Sequence, residues 1–449
     1  MKQLIFMIVV TLIGVGGSLA VTPFYGVAVY YFFAVLRPQF IWKWSLPEGV
    51  NWSLYVALAA MLGAILNVRS RKTRPTPEGG RRLSAGHWLV LGFGAWIAVT
   101  FVTARDHEVA YPYFIEYLKL FIMFWVAATV IRSVRQVWVL YLLTAATLGY
   151  IAYEVNYIYF FQGRYTYIYR LGYGGLDNNG AGLMLAMGIP LCYFAWEGIG
   201  RWFRWAFLVL IPLLLHAVLM SYSRGAMVSL LAGVPFYLLR SRRKFQLLLV
   251  LAGVVAIVPV LAGKEIRERF FSIQSNDVDA SANARRSSWA AAWEITKANP
   301  VFGVGIRNSN LISYEYGADM EGRTIHSQYL QTSADSGLIA LGLYLAALTA
   351  VWFSTRRARL LAAKRIDTEG REAHAAACGV EGAMIVFCVG ASFLSLENFE
   401  LPYLMLLLGA QLPLVLRPAP GPVESAETEL AAHADPAFHA RGWTGAELN

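Results

Sequence analysis

Apolar runs of about 17–25 residues, the length an α-helix needs to cross a bilayer, recur along the 449-residue chain between short polar segments. The pattern predicts spans over 4–20, 24–36, 52–68, 86–104, 111–131, 136–160, 178–196, 203–220, 224–240, 245–262, 332–354, 376–394 and 400–416. Gly16-Gly17 and Pro23 divide the first two, which read as one broken crossing or two, so the total is about twelve or thirteen. The apolar start lacks a charged n-region and a small-residue cleavage site, and reads as membrane-embedded. The expected fold is an all-α polytopic integral membrane protein of about twelve transmembrane helices with one large outside loop. Its expected parts are N-terminal helices over 1–262, the loop over 263–331, C-terminal helices over 332–416 and a disordered cytoplasmic tail over 417–449.

Composition agrees. The chain is 57% hydrophobic and 15% charged, whereas soluble domains carry about 25% charged residues. The net charge of +10 is mostly topology. Basic clusters at 69–82, Arg132/Arg135, Arg201/Arg204, Arg240/Arg242/Arg243/Lys244 and Arg356–Arg365 fall on every second loop. Short cytoplasmic loops collect such charge, which puts 105–110, 161–177, 221–224, 263–331 and 395–399 outside. No nucleic-acid partner is needed to explain it. Cys192, Cys378 and Cys388 lie in or near apolar spans and show neither zinc nor disulfide spacing. There is no Walker loop, no dinucleotide fingerprint and no HExxH, so no cofactor or metal is called for.

Candidate chemistry gathers outside. The segment Arg323-Thr324-Ile325-His326-Ser327-Gln328-Tyr329-Leu330, followed by Ala334-Asp335-Ser336-Gly337, closes the large loop where it re-enters the membrane. An imidazole beside fixed cations there can take a proton from a hydroxyl while the arginines hold a phosphorylated lipid; a hydrogen-bonded structural histidine is the alternative. The loop's middle predicts a helix over Ala284–Ala298, with Trp289, Ala292, Trp293 and Thr296 on one face, lying on the membrane surface with Arg285 toward lipid headgroups. Arg224, in Ser221-Tyr222-Ser223-Arg224-Gly225, falls between two spans with almost no loop. A cation there faces a cavity or a partner, and arginine grips phosphate bidentately; an ion pair within the bundle is the alternative. Arg170 closes a Tyr-rich stretch, 165–173, that reads as an aromatic belt or as a platform for sugar rings. Asp177 and Asn178 stand where they can cap the next helix or bond a glycan. Glu397 lies on the same side and can orient an imidazole.

The order of motifs resembles the O-antigen ligase and polymerase superfamily of bacterial envelopes. The matching features are Asp177-Asn178-Asn179 before a span, Ser223-Arg224-Gly225, Arg285-xxx-Trp289 leading to Asn299-Pro300-xx-Gly303-x-Gly305, and His326-Ser327-xx-Leu330 then Gly337. The first seventy residues and the Asp-Asn-Asn stretch are also similar to O-glycosylation ligases associated with exosortase systems. The resemblance covers roughly residues 85–415. It implies a metal-independent inverting glycosyltransferase of C-type architecture in the bacterial inner membrane, its site facing the periplasm and its large loop carrying interfacial helices. The implied donor is a glycan on undecaprenyl pyrophosphate. The implied acceptor is a lipid A-core sugar for ligases, a second lipid-linked glycan for polymerases, or a protein for O-glycosylation ligases. By the resemblance His326 is the base, Arg224 and Arg285 are essential arginines, and Arg286 and Arg170 are further pyrophosphate ligands. Lipid A-core ligation is the leading expectation. A lipid-linked glycan flippase is the rival from another class, with intramembrane charges but normally repeated halves. A metal-dependent C-type transferase would need outside acidic residues, for which Glu48 or Asp106 with Glu108 are the candidates.

Overall fold

The computed structural model describes residues 1–71, 83–200, 202–241, 243–246, 248–249, 252–253, 276–396 and 398–416. The span expected over 245–262 falls largely outside the described residues, as do Glu397 and the tail after Leu416.

Among the described residues there are helices and no strands, only an isolated bridge between Tyr173 and Leu176. The helices are α1 (Lys2–Ala20), α2 (Phe24–Leu36), α3 (Pro38–Ile41), α4 (Trp52–Arg71), α5 (Ala85–Val102), α6 (His107–Val130), α7 (Val134–Gln162) and α8 (Tyr167–Leu171). They continue with α9 (Asn178–Gly198), α10 (Arg204–Met220), α11 (Arg224–Arg240), α12 (Asn276–Ala298), α13 (Asn308–Ile312), α14 (Gln328–Ala362), α15 (Thr368–Gly390) and α16 (Glu400–Val415). Seven of them, α1, α5, α6, α7, α9, α14 and α15, have the length and apolarity to cross a membrane; α2, α10, α16 and the 52–66 part of α4 are shorter apolar helices. This is a polytopic α-helical membrane protein.

Helix starts follow from side-chain chemistry. Asp106, Ser133, Asp177, Ser223, Ser327 and Asp367 each accept a hydrogen bond from a free amide of the first turn, replacing a partner the helix cannot supply. The centre of the bundle is built on α9 and α16, whose residues 180–196 and 401–412 are buried on every face. A helix apolar all round belongs in the interior; α9 packs on α15, α10 and α7, and α16 on α14, α15 and α6.

The start of the chain forms two helices. A Cβ at Gly14 would meet Val29 and one at Gly17 would meet Tyr25, while Gly26 faces Ser18. Those contacts run in opposite directions along α1 and α2, so the pair is an antiparallel hairpin broken at 21–23. α15 begins eight residues before the expected span because Asp367 caps the chain there and an Ala-rich turn extends the helix beyond its apolar part.

Two elements of the large loop also depart from expectation. In α12 the buried residues are Ser288, Ala291, Ala292, Ile295 and Thr296, while Trp289 is half-buried and Trp293 is 47% exposed. The buried arc is therefore centred on the small residues, which let α12 lie close against α14; the bulk of Trp293 keeps it outside. Ala292, Ile295, Val304, Ile312, Ile325 and Ala334 form a second, small core beneath Trp289, Tyr316 and Leu330.

α14 is broken at Gly337, where φ is +81° and ψ is 175°. The break lets Pro300 O accept from Leu338 N at 2.7 Å, Ala334 O from Val304 N at 3.1 Å and Asp335 O from Gly305 N at 2.8 Å. Loop 300–305 is thereby sewn to the kink. A Cβ at Gly337 would lie 1.9 Å from Val301 O, whereas one at Gly342, further down the helix, would meet nothing within 4 Å. Gly337→Ala should therefore cost more than the roughly 1–3 kcal/mol of a strained φ alone and abolish the monodisperse folded protein in size-exclusion. Gly342→Ala should leave melting unchanged or raise it slightly; equal melting of both variants would refute the account of the kink.

Candidate active site

Four segments meet at one end of the bundle. They are Asp177–Asn178 at the start of α9, Ser221–Arg224 between α10 and α11, the Arg285 region of α12, and 323–328 before α14. Asn178 Nδ2 donates to Ser221 O at 2.9 Å, tying the first to the second. Ser288 Oγ donates to Ile325 O at 3.1 Å and Trp289 Nε1 to His326 O at 3.4 Å, tying α12 to the segment that carries the imidazole. Gln328 N donates to Ala391 O at 2.8 Å, and Gln328 Oε1 accepts from Leu396 N at 2.7 Å. The backbone around His326 is thus held on one side by two side chains of α12 and on the other by the backbone carbonyl of Ala391, just past the end of α15.

The site is also where the backbone is least relaxed. Among the described residues four that are not glycine have positive φ: Arg37 (53°), Tyr222 (52°), Arg307 (61°) and His326 (54°). Such residues cost free energy and persist only where the surroundings hold them. Tyr222 makes the turn that delivers Arg224 two residues later, its ring edge-on to Tyr169 at 5.1 Å. Arg307 is held by Asp335, which is buried and accepts from Arg307 N at 2.8 Å, Ser309 N at 3.0 Å and Gln331 Nε2 at 2.8 Å. Asn308 fastens the same turn to the start of α6, accepting from Asp106 N at 2.6 Å and donating to Asp106 O at 3.0 Å.

Charge unifies the cluster. The guanidinium of Arg285 is pushed to a lower pKa, first by burial and then by Arg224, with Asp177 opposing. The His326 imidazole is pushed below its ordinary value of 6.5, first by burial, then by Arg285, with Asp177 opposing and Arg323 and Arg307 adding to the depression. Arg224, Arg285, Arg307, Arg323, Asp177 and His326 therefore lie within Coulombic reach of one another through Arg285 and His326. The imidazole is neutral near pH 7 and surrounded by fixed positive charge, which suits proton removal beside a bound anion.

The expected residues divide. Arg224, Arg285, Asp177 and His326 come together; Arg224 and Asp177 are exposed and Arg285 and His326 half-buried. Asp177 acts twice, as the cap that accepts from Gly180 N at 2.7 Å and as the counter-charge to Arg285. Arg286 is exposed on α12, next to Arg285. Arg170 lines a separate open depression of about 380 Å³ with Arg164, Tyr165, Thr166 and Tyr167, whose neighbour Tyr169 touches Tyr222. Glu397 lies outside the described residues. Arg307 was not singled out by sequence reasoning; its signal is the Gly303-x-Gly305 turn two residues before it. Among the described residues no three His, Cys, Asp or Glu side chains group as metal ligands.

Fold and site together define a polytopic membrane protein with an arginine-rich, histidine-bearing cluster at one end of its helices. Residues 208–345 match the family described as O-antigen ligase, so this segment of the chain is similar to that family. The matched segment contains Arg224, Arg285, Arg286, Arg307 and His326, and leaves Arg170 and Asp177 outside. It supports ligase- or polymerase-type glycosyl transfer. No curated protein matches the chain.

In the folded protein His326 should titrate below 6.5, and Arg285→Ala should move that titration upward because a neighbouring positive charge is removed. Histidine-selective NMR with His326→Gln for assignment checks this; a midpoint at or above 6.5, or no shift in Arg285→Ala, would contradict the cluster.

Proposed function

We propose that this protein is a glycan ligase of the inner membrane that transfers a saccharide from undecaprenyl pyrophosphate to a sugar hydroxyl of lipid A-core at the periplasmic face. The observation that carries this reading is the neutral, buried-side His326 held among Arg285, Arg224, Arg307 and Arg323. The acceptor hydroxyl gives its proton to His326 as its oxygen bonds to the anomeric carbon. The bond from that carbon to the pyrophosphate oxygen breaks, and the leaving group departs with the bonding electron pair. Attack opposite the leaving group inverts the anomeric centre. Arg224 and Arg285 neutralise the charge that grows on the leaving oxygen, a role that fixed cations fill without a metal ion. Arg286 and Arg170 stand as outer ligands of the same lipid, and Asp177 and Asn178 as glycan contacts. The basic loops face the cytoplasm, about twelve helices cross, and the loop with α12 lies on the opposite side.

A polymerase using a second lipid-linked glycan, or a ligase using a protein, shares this donor chemistry and differs only in the acceptor. A flippase gives no role to a histidine whose backbone is fixed on both sides.

Purified protein with lipid-linked glycan and lipid A-core, in the presence of chelator, tests the reading. Product should form, and Arg224→Ala or Arg285→Ala should each lower the rate on the order of 100-fold, with His326→Ala lowering it on the order of 100-fold or more. Near-normal transfer by His326→Ala would remove the base assignment, and ladders on a lipid-linked acceptor would make the protein a polymerase.

A further inference from the structure

A second polar cluster sits at the same end of the bundle, where α2, α6 and α16 touch one another. Glu400 opens α16, and its Oε2 is buried with no hydrogen-bond partner among the described residues. Arg37, Glu116 and Lys119 all act on its carboxyl electrostatically, and the carboxyl in turn acts on the buried Tyr30 and Tyr31. Arg37 is one of the four strained residues, with φ 53° in the link between α2 and α3. Its guanidinium lies 5.2 Å from the centre of the Phe40 ring and 6.0 Å from that of Phe399, and it forms no ion pair with Glu400. Glu116 and Lys119 pair at 2.8 Å on α6, each 45% exposed. Leu396, four residues before Glu400, is bonded to Gln328 beside the His326 segment.

A first-turn acid needs no explanation when solvated, because the helix dipole favours it. Burial with an unmatched oxygen costs free energy unless a donor arrives, and ionisable groups in a membrane bundle mark a substrate path. The two cations and two carboxylates balance, so neither a phosphate nor a metal ion is selected by net charge. A polyol is: one hydroxyl donates to Glu400, another accepts from Arg37, and the exposed ring of Phe40 offers apolar surface to ring C–H groups. We propose that Glu400, Arg37 and Phe40 form a saccharide-binding site beside the arginine–histidine cluster, taking a sugar of one of the two glycans. This inference rests on the glycan-transfer reading for its ligand class.

The test uses full-length protein in nanodiscs and two soluble probes, the oligosaccharide released from the donor and the core oligosaccharide released from lipid A-core. Saturation-transfer NMR reads binding of each, and so tells donor from acceptor. Wild type should bind one of them. Glu400→Leu should weaken that binding about tenfold or more, with Gly342→Ala unchanged. Replacing a buried charge by an apolar side chain of similar size usually leaves folding intact; a Glu400→Leu that failed to fold would hand the decision to Phe40→Ala, which removes the exposed ring and should weaken binding about threefold or more. Binding of neither probe by wild type, or equal binding by wild type and variants, would overturn the site. Binding lost in Glu400→Leu without transfer activity in wild type would keep the site and sink the ligase reading; transfer by wild type with unaltered binding in the variants would do the reverse.

Discussion

The arrangement at the active end depends on a buried carboxylate. Asp335 accepts from two backbone amides and one side-chain amide, and two residues later the helix breaks at Gly337. A buried carboxylate is tolerable only with such a set of donors. The donors come from the turn 307–309, and that turn can reach only because the break at Gly337 opens space for residues 300–305. The small core under Trp289, the path of α12 and the position of Arg307 all follow from this one junction. Trp96 and Thr100 of α5 reach the same kink, bonding Ser336 at 3.0 and 3.1 Å, so the junction also joins loop to bundle.

The second organising fact is repulsion. Four arginines and a histidine are held within Coulombic reach of one another, with Asp177 opposing Arg285 and His326 and Asp319 pairing with Arg323. Unligated, such a group is electrostatically unfavourable, and the strain at Tyr222, Arg307 and His326 is of the same kind. A bound anion relieves it. The cluster thus suits an occupied state, and on the proposed function the energy stored in bringing cations together would become binding energy for the donor's pyrophosphate and for its growing charge during transfer.

Much of this was legible in the chain. The spans at 24–36 and 224–240 reproduce α2 and α11, because apolar length and a capping serine or turn mark both ends. Arg224 could be found because a cation between two spans with no loop has nowhere innocuous to go. His326 and Arg285 needed the resemblance as well, since each alone has an ordinary structural reading. What was not legible came from contacts remote in sequence. Asp335 looks like any polar residue near a helix start until Arg307 and Ser309, 28 and 26 residues away, are seen to donate to it. Trp293 shares a face with Trp289, Ala292 and Thr296 in the sequence pattern, yet the close packing of α12 on α14 buries alanine and serine and leaves Trp293 47% exposed. Glu400 carries no distinguishing signal in the sequence, and its burial depends on α2 and α6, 270 or more residues earlier.

Ser288, Trp289, Ala391 and Leu396 together pin the chain on either side of His326, leaving the imidazole its own side-chain torsions and little else. It is a fixed post rather than a moving arm. On the proposed transfer from a lipid-linked glycan to lipid A-core, both reactants are anchored in the bilayer by lipid tails and must travel to it, so their encounter is a search in two dimensions. Turnover would depend on the surface density and lateral mobility of the two lipids, quantities set by the membrane around the protein.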